Sequence, residues 1–149
     1  GLPKHTYAGV VQAVRNAGCN FHFRDLRWAG DYQLWPWPIW DSAKRFERGM
    51  YQSETLTCVS FQAGKLLPIG RGGAILHDNE EADVWLRRAR LDGRTAGADY
   101  QDPTFQQPGF HCYLSPDAAA RGLWLMTYLE DEDPCDWTAY PDLSQATWV

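Results

Sequence analysis

One stretch of the chain, SFQAGKLLPIGRGGAIL, constrains the possible folds more than any other. It joins two runs rich in β-branched and apolar residues, Thr55–Phe61 and Gly72–Asp78, which predict two strands. The connection between them carries a lysine, Lys65, and then a cluster of glycines. Because glycine permits backbone conformations that other residues avoid, the cluster predicts a tight turn into the second strand.

Helical patterns surround these two strands. Apolar residues recur at helical spacing over Tyr7–Val14, with Thr6 in position to cap the helix. Asp78 and Glu81 form a capping-box pattern before a second helix, and Ser115, followed by proline, opens a third. Strands that alternate with helices are typical of an α/β fold with a mostly parallel sheet.

Two further strands place an acid near the lysine. Residues 20–24 alternate in polarity as a strand does, and a short apolar run leads directly into Asp41. Residues 29–38 predict a loop, and residues 42–49 predict one or two helical turns. In parallel sheets functional residues collect beyond the carboxyl ends of the strands, so we expect Asp41 and Lys65 on the same rim.

The composition excludes several classes of protein. The net charge of the 149 residues is −5 without a basic run, so nucleic acid is not expected as a partner. No apolar stretch is long enough to span a membrane. The four cysteines lack metal-ligand spacing and predict reduced thiols in a cytoplasmic protein, with no metal site. The chain divides into one domain over residues 1–129 and an acidic, tryptophan-containing tail over residues 130–149.

Three blocks of sequence carry a family resemblance: IWDSAKRF, CVSFQAGKLLPIGRGGAILHDNEEADVWLRRARLDGR and GFHCYLSPDAAARGLWLM. They resemble consecutive parts of the DegT/StrS-type sugar aminotransferases, which are fold-type-I enzymes dependent on pyridoxal phosphate (PLP). The family pattern Ser-Phe-His-x-x-Lys, followed by Gly-x-Gly-Gly, is matched by Ser60, Phe61, Lys65 and the glycines at 70, 72 and 73. With gaps, the resemblance runs from about Pro3 to Met126.

The resemblance implies a fold and a set of residue roles. Residues 1–129 would form a reduced PLP-transferase large domain, three-layered, with a small mostly parallel sheet and one antiparallel strand. Lys65 would form the Schiff base with PLP, Asp41 would face the ring nitrogen, and Ser60 would donate its hydroxyl to the phosphate. These residue types suit a cofactor that needs a nucleophilic amine and a protonated ring.

The chain also departs from the family pattern. Lys44 stands where a glutamine usually contacts the cofactor, Gln62 replaces a histidine, and His111 replaces an asparagine that reaches the neighbouring subunit's phosphate. The family's N-terminal phosphate loop and small C-terminal domain have no counterpart in the chain. A strand–helix unit between Asp25 and Asp41 is missing as well. We therefore expect a shortened relative whose cofactor contacts include Lys44, Gln62 and His111.

The resemblance implies a PLP-dependent aminotransferase that acts on a nucleotide-linked keto-sugar. Its site would be impaired unless a homodimer or a partner subunit completes it. The alternative is a non-catalytic descendant that serves as a binding or assembly domain, and a third possibility is a sugar-binding module built on Trp35 and Trp37. Without the surrounding motif, Lys65 would be interpreted as a solvated turn lysine. Asp41 could cap the residues after it, a role compatible with a cofactor contact.

Overall fold

The computed structural model describes residues 1–99, 101, 104–130 and 135–148. It has small mixed sheets and three helices, which confirms the α/β class. The strands are β1 (Leu2–Pro3), β2 (Phe23–Arg24), β3 (Tyr32–Gln33), β4 (Ile39–Asp41), β5 (Leu56–Ser60) and β6 (Gly73–Leu76). The helices are α1 (Ala8–Asn16), α2 (Glu80–Ala89) and α3 (Pro116–Met126), followed by two 3₁₀ helices, Trp137–Ala139 and Leu143–Gln145.

The larger sheet is mixed rather than mostly parallel. Its strand order is β3-β4-β5-β6, and only the β4–β5 pairing is parallel, with Asp41 in register with Cys58. The antiparallel β5–β6 pairing agrees with the strand direction that the family resemblance implied. The unexpected antiparallel pair is β3–β4. The loop between these two strands is too short for the crossover that a parallel pair requires.

Residues 42–49 contain turns and no helix, so the predicted helical turns are wrong. The reason is local hydrogen bonding at the end of β4. The Asp41 carboxylate accepts a bond from the backbone nitrogen of Ala43 at 2.9 Å, which closes a turn. Arg45 then pairs with Asp31 and Glu47, and these ion pairs hold the segment in an irregular path.

Two predicted helix caps are also wrong. The Thr6 hydroxyl does not cap α1 but bonds to the hydroxyl of Tyr32. At α2 the capping residue is Asn79, whose side chain accepts a bond from the first turn of the helix, and Asp78 instead bonds the loop at Ser53. A side chain can accept a hydrogen bond from the free backbone N–H groups of a helix only when its own residue occupies the N-cap position. Sequence spacing alone does not decide which residue occupies that position.

Helix α2 lies against one face of the larger sheet. Ala82, Trp85 and Leu86 face strand residues that include Leu56 and Ile75 across an open groove, and Ala89 is buried. Helix α3 is less embedded, because Gly122 is buried near Ile69 while Leu123 and Met126 are exposed. The sequence also predicted Leu123 and Met126 in the apolar stripe of α3, at helical spacing with Ala119 and Gly122, and their exposure makes that prediction wrong at these two positions. None of the helices in the described ranges has the length and apolar content to cross a bilayer.

A separate small core joins the two ends of the chain. Strands β1 and β2 pair in parallel, and α1 packs beside them through Val11, which is fully buried. Leu143, from the second 3₁₀ helix, completes this core together with Leu2. The backbone nitrogen of Leu143 also donates to the carbonyl oxygen of Lys4 at 2.8 Å. The second 3₁₀ helix thus packs into the same core as β1 and α1.

Candidate active site

A cavity of about 400 Å³ opens beside the ends of β4 and β5. Five of the six residues that the sequence assigned to a cofactor site line it, and these are Asp41, Lys44, Ser60, Gln62 and Lys65. Asp41 and Ser60 are the last residues of β4 and β5, which run parallel, so both strands deliver their final side chain to one rim. The strand ends thus place an acid and a hydroxyl beside one space that Lys65 also lines, although the roles of these residues remain predictions.

Asp41 is held by hydrogen bonds to both of its carboxylate oxygens. Oδ1 accepts from the backbone nitrogen of Ala43 at 2.9 Å, and Oδ2 accepts from the Tyr32 hydroxyl at 2.7 Å. Tyr32 reaches it because β3 and β4 pair with Tyr32 directly opposite Asp41. Each carboxylate oxygen has two lone pairs, so the group can still accept a bond from a ligand.

Lys65 is positioned by the glycine-containing connection between β5 and β6. Its backbone nitrogen donates to the carbonyl oxygen of Gln62 at 2.9 Å, and Gln62 forms a bridge with Gly70. Gly70 and Gly72 have φ values of 102° and 105°, a region that strongly favours glycine. The glycine cluster therefore permits the sharp path that holds the lysine at the cavity.

Two effects lower the pKa of the Lys65 amine. Burial is the larger cause, because it disfavours the charged form, and the positive charge of Lys44 acts in the same direction. The carboxylate of Asp41 opposes them. A lysine of lowered pKa is more often neutral near neutral pH, and only the neutral amine is a nucleophile.

Aromatic side chains also line the cavity, among them Trp28, Tyr32 and Tyr140. Trp28 is 8% exposed, and its ring lies 5.0 Å from that of Tyr32 and 5.7 Å from that of Tyr140. The indole nitrogen of Trp28 donates to the carbonyl oxygen of His5 at 2.8 Å, which fixes the ring. The cavity therefore combines packed aromatic side chains with an acid and an amine.

Comparison with known proteins now identifies the family. The model of the DegT/DnrJ/EryC1/StrS aminotransferase family matches residues 47–133. The chain belongs to this family. No curated protein and no solved structure matches the chain. The matched range contains Lys65, Ser60 and Gln62, whereas Asp41 and Lys44 lie before it and join the site through the fold.

His111, the sixth residue predicted to contact the cofactor in this aminotransferase-family chain, is not among the residues that line the cavity. It forms a bridge with Leu91, its Nδ1 atom lies 3.5 Å from the Asp92 carboxylate, and its side chain is 75% exposed. Its ring packs edge-on against Tyr113 at 4.2 Å between centroids. A contact from His111 to a neighbouring subunit's cofactor therefore stays a prediction.

Sequence reasoning missed the residues that complete the site. Thr6, Tyr7, Trp28, Tyr32 and Tyr140 all line the cavity, and none of them belongs to a motif of the aminotransferase family quoted above. One feature of the sequence could have indicated Tyr32. A short strand before Asp41, paired with the strand that ends at Asp41, would bring Tyr32 opposite the acid. By contrast, Trp35 and Trp37 are 51% and 61% exposed and are not among the residues that line the cavity.

Proposed function

We propose that this chain is a PLP-dependent aminotransferase whose amino-group acceptor is the keto group of a nucleotide-linked sugar. The observation that carries the proposal is that Lys65 and Asp41 line one cavity, as the chemistry of PLP requires. Membership of an aminotransferase family, whose members typically depend on PLP, supports the reaction type. In this proposal residues 1–129 form a reduced version of the large domain of PLP transferases.

The lining of the cavity fits this cofactor. Trp28, Tyr32 and Tyr140 offer flat apolar surfaces to an aromatic ring. Lys44 and Ser60 add a cation and a hydroxyl, which are groups that bind phosphate oxygens. The volume of about 400 Å³ falls within the range of roughly 300–1,000 Å³ usual for small-molecule sites. The residues present therefore suit PLP in shape and in charge.

Each side chain has a defined task in this proposal. PLP, when bound, supplies a ring that accepts electrons from the carbon bearing the amino group. The Lys65 amine would hold the cofactor and would move a proton at the reacting carbon, and its lowered pKa favours the neutral form of the amine that both roles require. The Asp41 carboxylate would hold the ring nitrogen of the cofactor in its protonated form, and Gln62 lines the same cavity.

The proposal also includes a second subunit. Among the described residues that line the cavity, Lys44 and Ser60 are the phosphate ligands of this proposal, and the side chain of His111, which lies outside the cavity and is 75% exposed, is accessible to another subunit. In the family resemblance, the position of His111 reaches a neighbouring subunit's phosphate. A second copy of the chain or a partner subunit would therefore complete the phosphate site.

The first prediction tests the covalent role of Lys65. Purified protein titrated with PLP should develop a visible absorption band, and borohydride treatment should add one reduced cofactor mass to a peptide containing Lys65. Lys65→Ala should abolish both signals, because in this proposal Lys65 supplies the amine that forms the covalent bond. A label on the peptide that contains Lys44, the other amine among the described residues that line the cavity, would contradict this assignment. Absorbance and peptide mass spectrometry measure the two effects.

Two control variants separate covalent attachment from electrostatic binding. Lys65→Arg keeps the positive charge but cannot form the covalent bond, so it should give no mass increase. Lys44→Ala should still be labelled at Lys65, with weaker affinity for PLP. If wild-type protein gains no mass at saturating PLP, the aminotransferase proposal fails and a non-catalytic binding or assembly role replaces it.

A further inference from the structure

Hydrogen bonds join three side chains that line the cavity, those of Thr6, Tyr32 and Asp41. The Tyr32 hydroxyl donates to Asp41 Oδ2 at 2.7 Å, and it also bonds to the Thr6 hydroxyl. A phenol has a single proton, which here goes to the carboxylate, so Thr6 must be the donor to Tyr32. The direction of these hydrogen bonds is therefore fixed, from Thr6 through Tyr32 to Asp41.

Both hydroxyl groups are buried, which makes their pairing costly to lose. Thr6 is 1% exposed and Tyr32 is 4% exposed. A buried polar group without a partner costs about 1–3 kcal/mol, so each hydroxyl depends on the other and on Asp41. Burial is also the main cause that raises the pKa of Tyr32, and the negative charge of Asp41 adds to it. Tyr32 therefore remains a protonated donor throughout the neutral range.

The packing of the Tyr32 ring does not require its hydroxyl. The ring contacts Trp28 at 5.0 Å between centroids, and a phenylalanine would keep this contact. The hydroxyl instead restrains one oxygen of Asp41, while the backbone nitrogen of Ala43 restrains the other. Two bonds to two different oxygens prevent the carboxylate from rotating and so fix the direction of its remaining lone pairs.

We propose that Tyr32 is a positioning residue, supported by Thr6, that holds the Asp41 carboxylate in the orientation needed to accept a hydrogen bond from the ring nitrogen of PLP. This inference rests on the proposed function, because it assigns a task toward the cofactor. Tyr32 acts through Asp41 and not on the reacting atoms. It lies outside the sequence that matches the aminotransferase family, in a strand that local sequence patterns did not predict.

The test compares two probes that differ at one ring atom. One probe is PLP, and the other is the analogue in which the ring nitrogen is replaced by a C–H group, so that only PLP can bond to Asp41. The dissociation constant of each probe is measured for wild type and for Tyr32→Phe. Tyr32→Phe removes the hydrogen bond that orients Asp41, so the bond between Asp41 and the ring nitrogen should weaken. We expect the dissociation constant of PLP to rise by about tenfold, the size typical of a hydrogen bond to a charged group, and that of the analogue to change by less than about twofold.

Matched variants separate positioning from packing. Tyr140→Phe removes a hydroxyl from the same cavity, and within the described residues no hydrogen bond joins that hydroxyl to Asp41. It should leave the ratio of the two dissociation constants unchanged. Thr6→Val should reduce the preference for PLP in the same direction as Tyr32→Phe, whereas Thr6→Ser, which keeps the hydroxyl, should preserve it. If Tyr32→Phe does not fold, judged by circular dichroism, the Thr6 pair decides the question.

Each outcome is decisive. A selective loss of PLP affinity in Tyr32→Phe supports the inference. Equal losses for both probes, or no loss, overturn it and leave the covalent role of Lys65 intact. If wild-type protein binds the two probes equally, Asp41 does not meet the ring nitrogen and the inference is again overturned. If wild-type protein binds neither probe, the proposed function and this inference fall together.

Discussion

Lys44 and Lys65 both line the cavity, and the charge of one affects the pKa of the other. Lys65 and Lys44 repel each other when both are protonated, so the positive charge of Lys44 lowers the pKa of Lys65. Lys44 stands where the family pattern has a glutamine, which carries no charge. Its presence therefore has a measurable consequence for Lys65.

The second prediction concerns the pH dependence of Lys65. Removing the charge in Lys44→Ala should raise the pKa of Lys65, because the protonated amine loses a repulsive neighbour. At a fixed pH below that pKa, less neutral amine is present, so the rate of covalent PLP attachment should fall severalfold and its pH profile should move to higher pH. Borohydride trapping at successive pH values measures the profile.

Lys44→Arg is the matched control for this experiment. It keeps the positive charge and should leave the pH profile of Lys65 close to that of wild type. A profile that moves equally in Lys44→Arg and Lys44→Ala would show that the shape of the lysine, and not its charge, matters.

At the scale of elements, the pairing of β5 with β6 brings two backbones unusually close. Gly73 pairs with Ser60, and a Cβ atom added at Gly73 would lie 2.4 Å from the carbonyl oxygen of Val59. That distance is far inside van der Waals contact, and the obstacle is backbone that cannot rotate away. The third glycine of the motif thus serves strand pairing, whereas Gly70 and Gly72 serve the turn.

The third prediction follows from this close approach. Gly73→Ala should lower the free energy of unfolding by about 1–3 kcal/mol, because the added methyl group forces β6 away from β5. Urea denaturation followed by circular dichroism measures the change.

Gly64→Ala provides the control in the same connection. An added Cβ there would meet only the flexible side chain of Gln62, at 3.7 Å, so stability should change by less than about 0.5 kcal/mol. Equal effects of the two substitutions would contradict a specific role for Gly73 in the strand pairing.

Local sequence patterns predicted the elements whose signals lie within a few residues. Strands β5 and β6 and helix α2 follow from β-branched runs and helical spacing, and the resemblance placed Asp41, Ser60 and Lys65 at one site. Strand β3 has only two residues and forms because it pairs with β4, so no local pattern marked it. The Thr6 hydroxyl bonds to Tyr32 instead of a helix end for a similar reason, since its partner is distant in sequence.

At the scale of the whole molecule, the chain ends pack against each other. His5 forms a bridge with Asp142, and the Lys4 amine lies 3.2 Å from Asp25 and 3.6 Å from Asp142. The side chain of Leu143 enters the core beside Leu2. The acidic composition after residue 130 predicted a tail, but composition does not reveal contacts between residues more than a hundred positions apart.

The fourth prediction tests the contribution of this contact to the fold. Leu143→Ala should lower the free energy of unfolding by about 2–5 kcal/mol, because Leu143 is 9% exposed in a small core that cannot refill the space. Leu123→Ala is the control, since Leu123 is 69% exposed on α3 and should contribute less than about 0.5 kcal/mol. Thermal or urea unfolding compares the two, and similar losses would argue against a structural role for the C-terminal residues.

The walls of the cavity come from five separate parts of the chain, namely residues 6–10, 28–32, 41–44, 60–65 and 140. The family match includes only the part with the lysine. A ligand that fills this space therefore contacts residues near both ends of the described chain as well as its middle. Because such a ligand binds only the folded chain, we expect it to raise the free energy of unfolding of the whole molecule. Residues near the chain ends should then be protected from unfolding as much as residues in the middle.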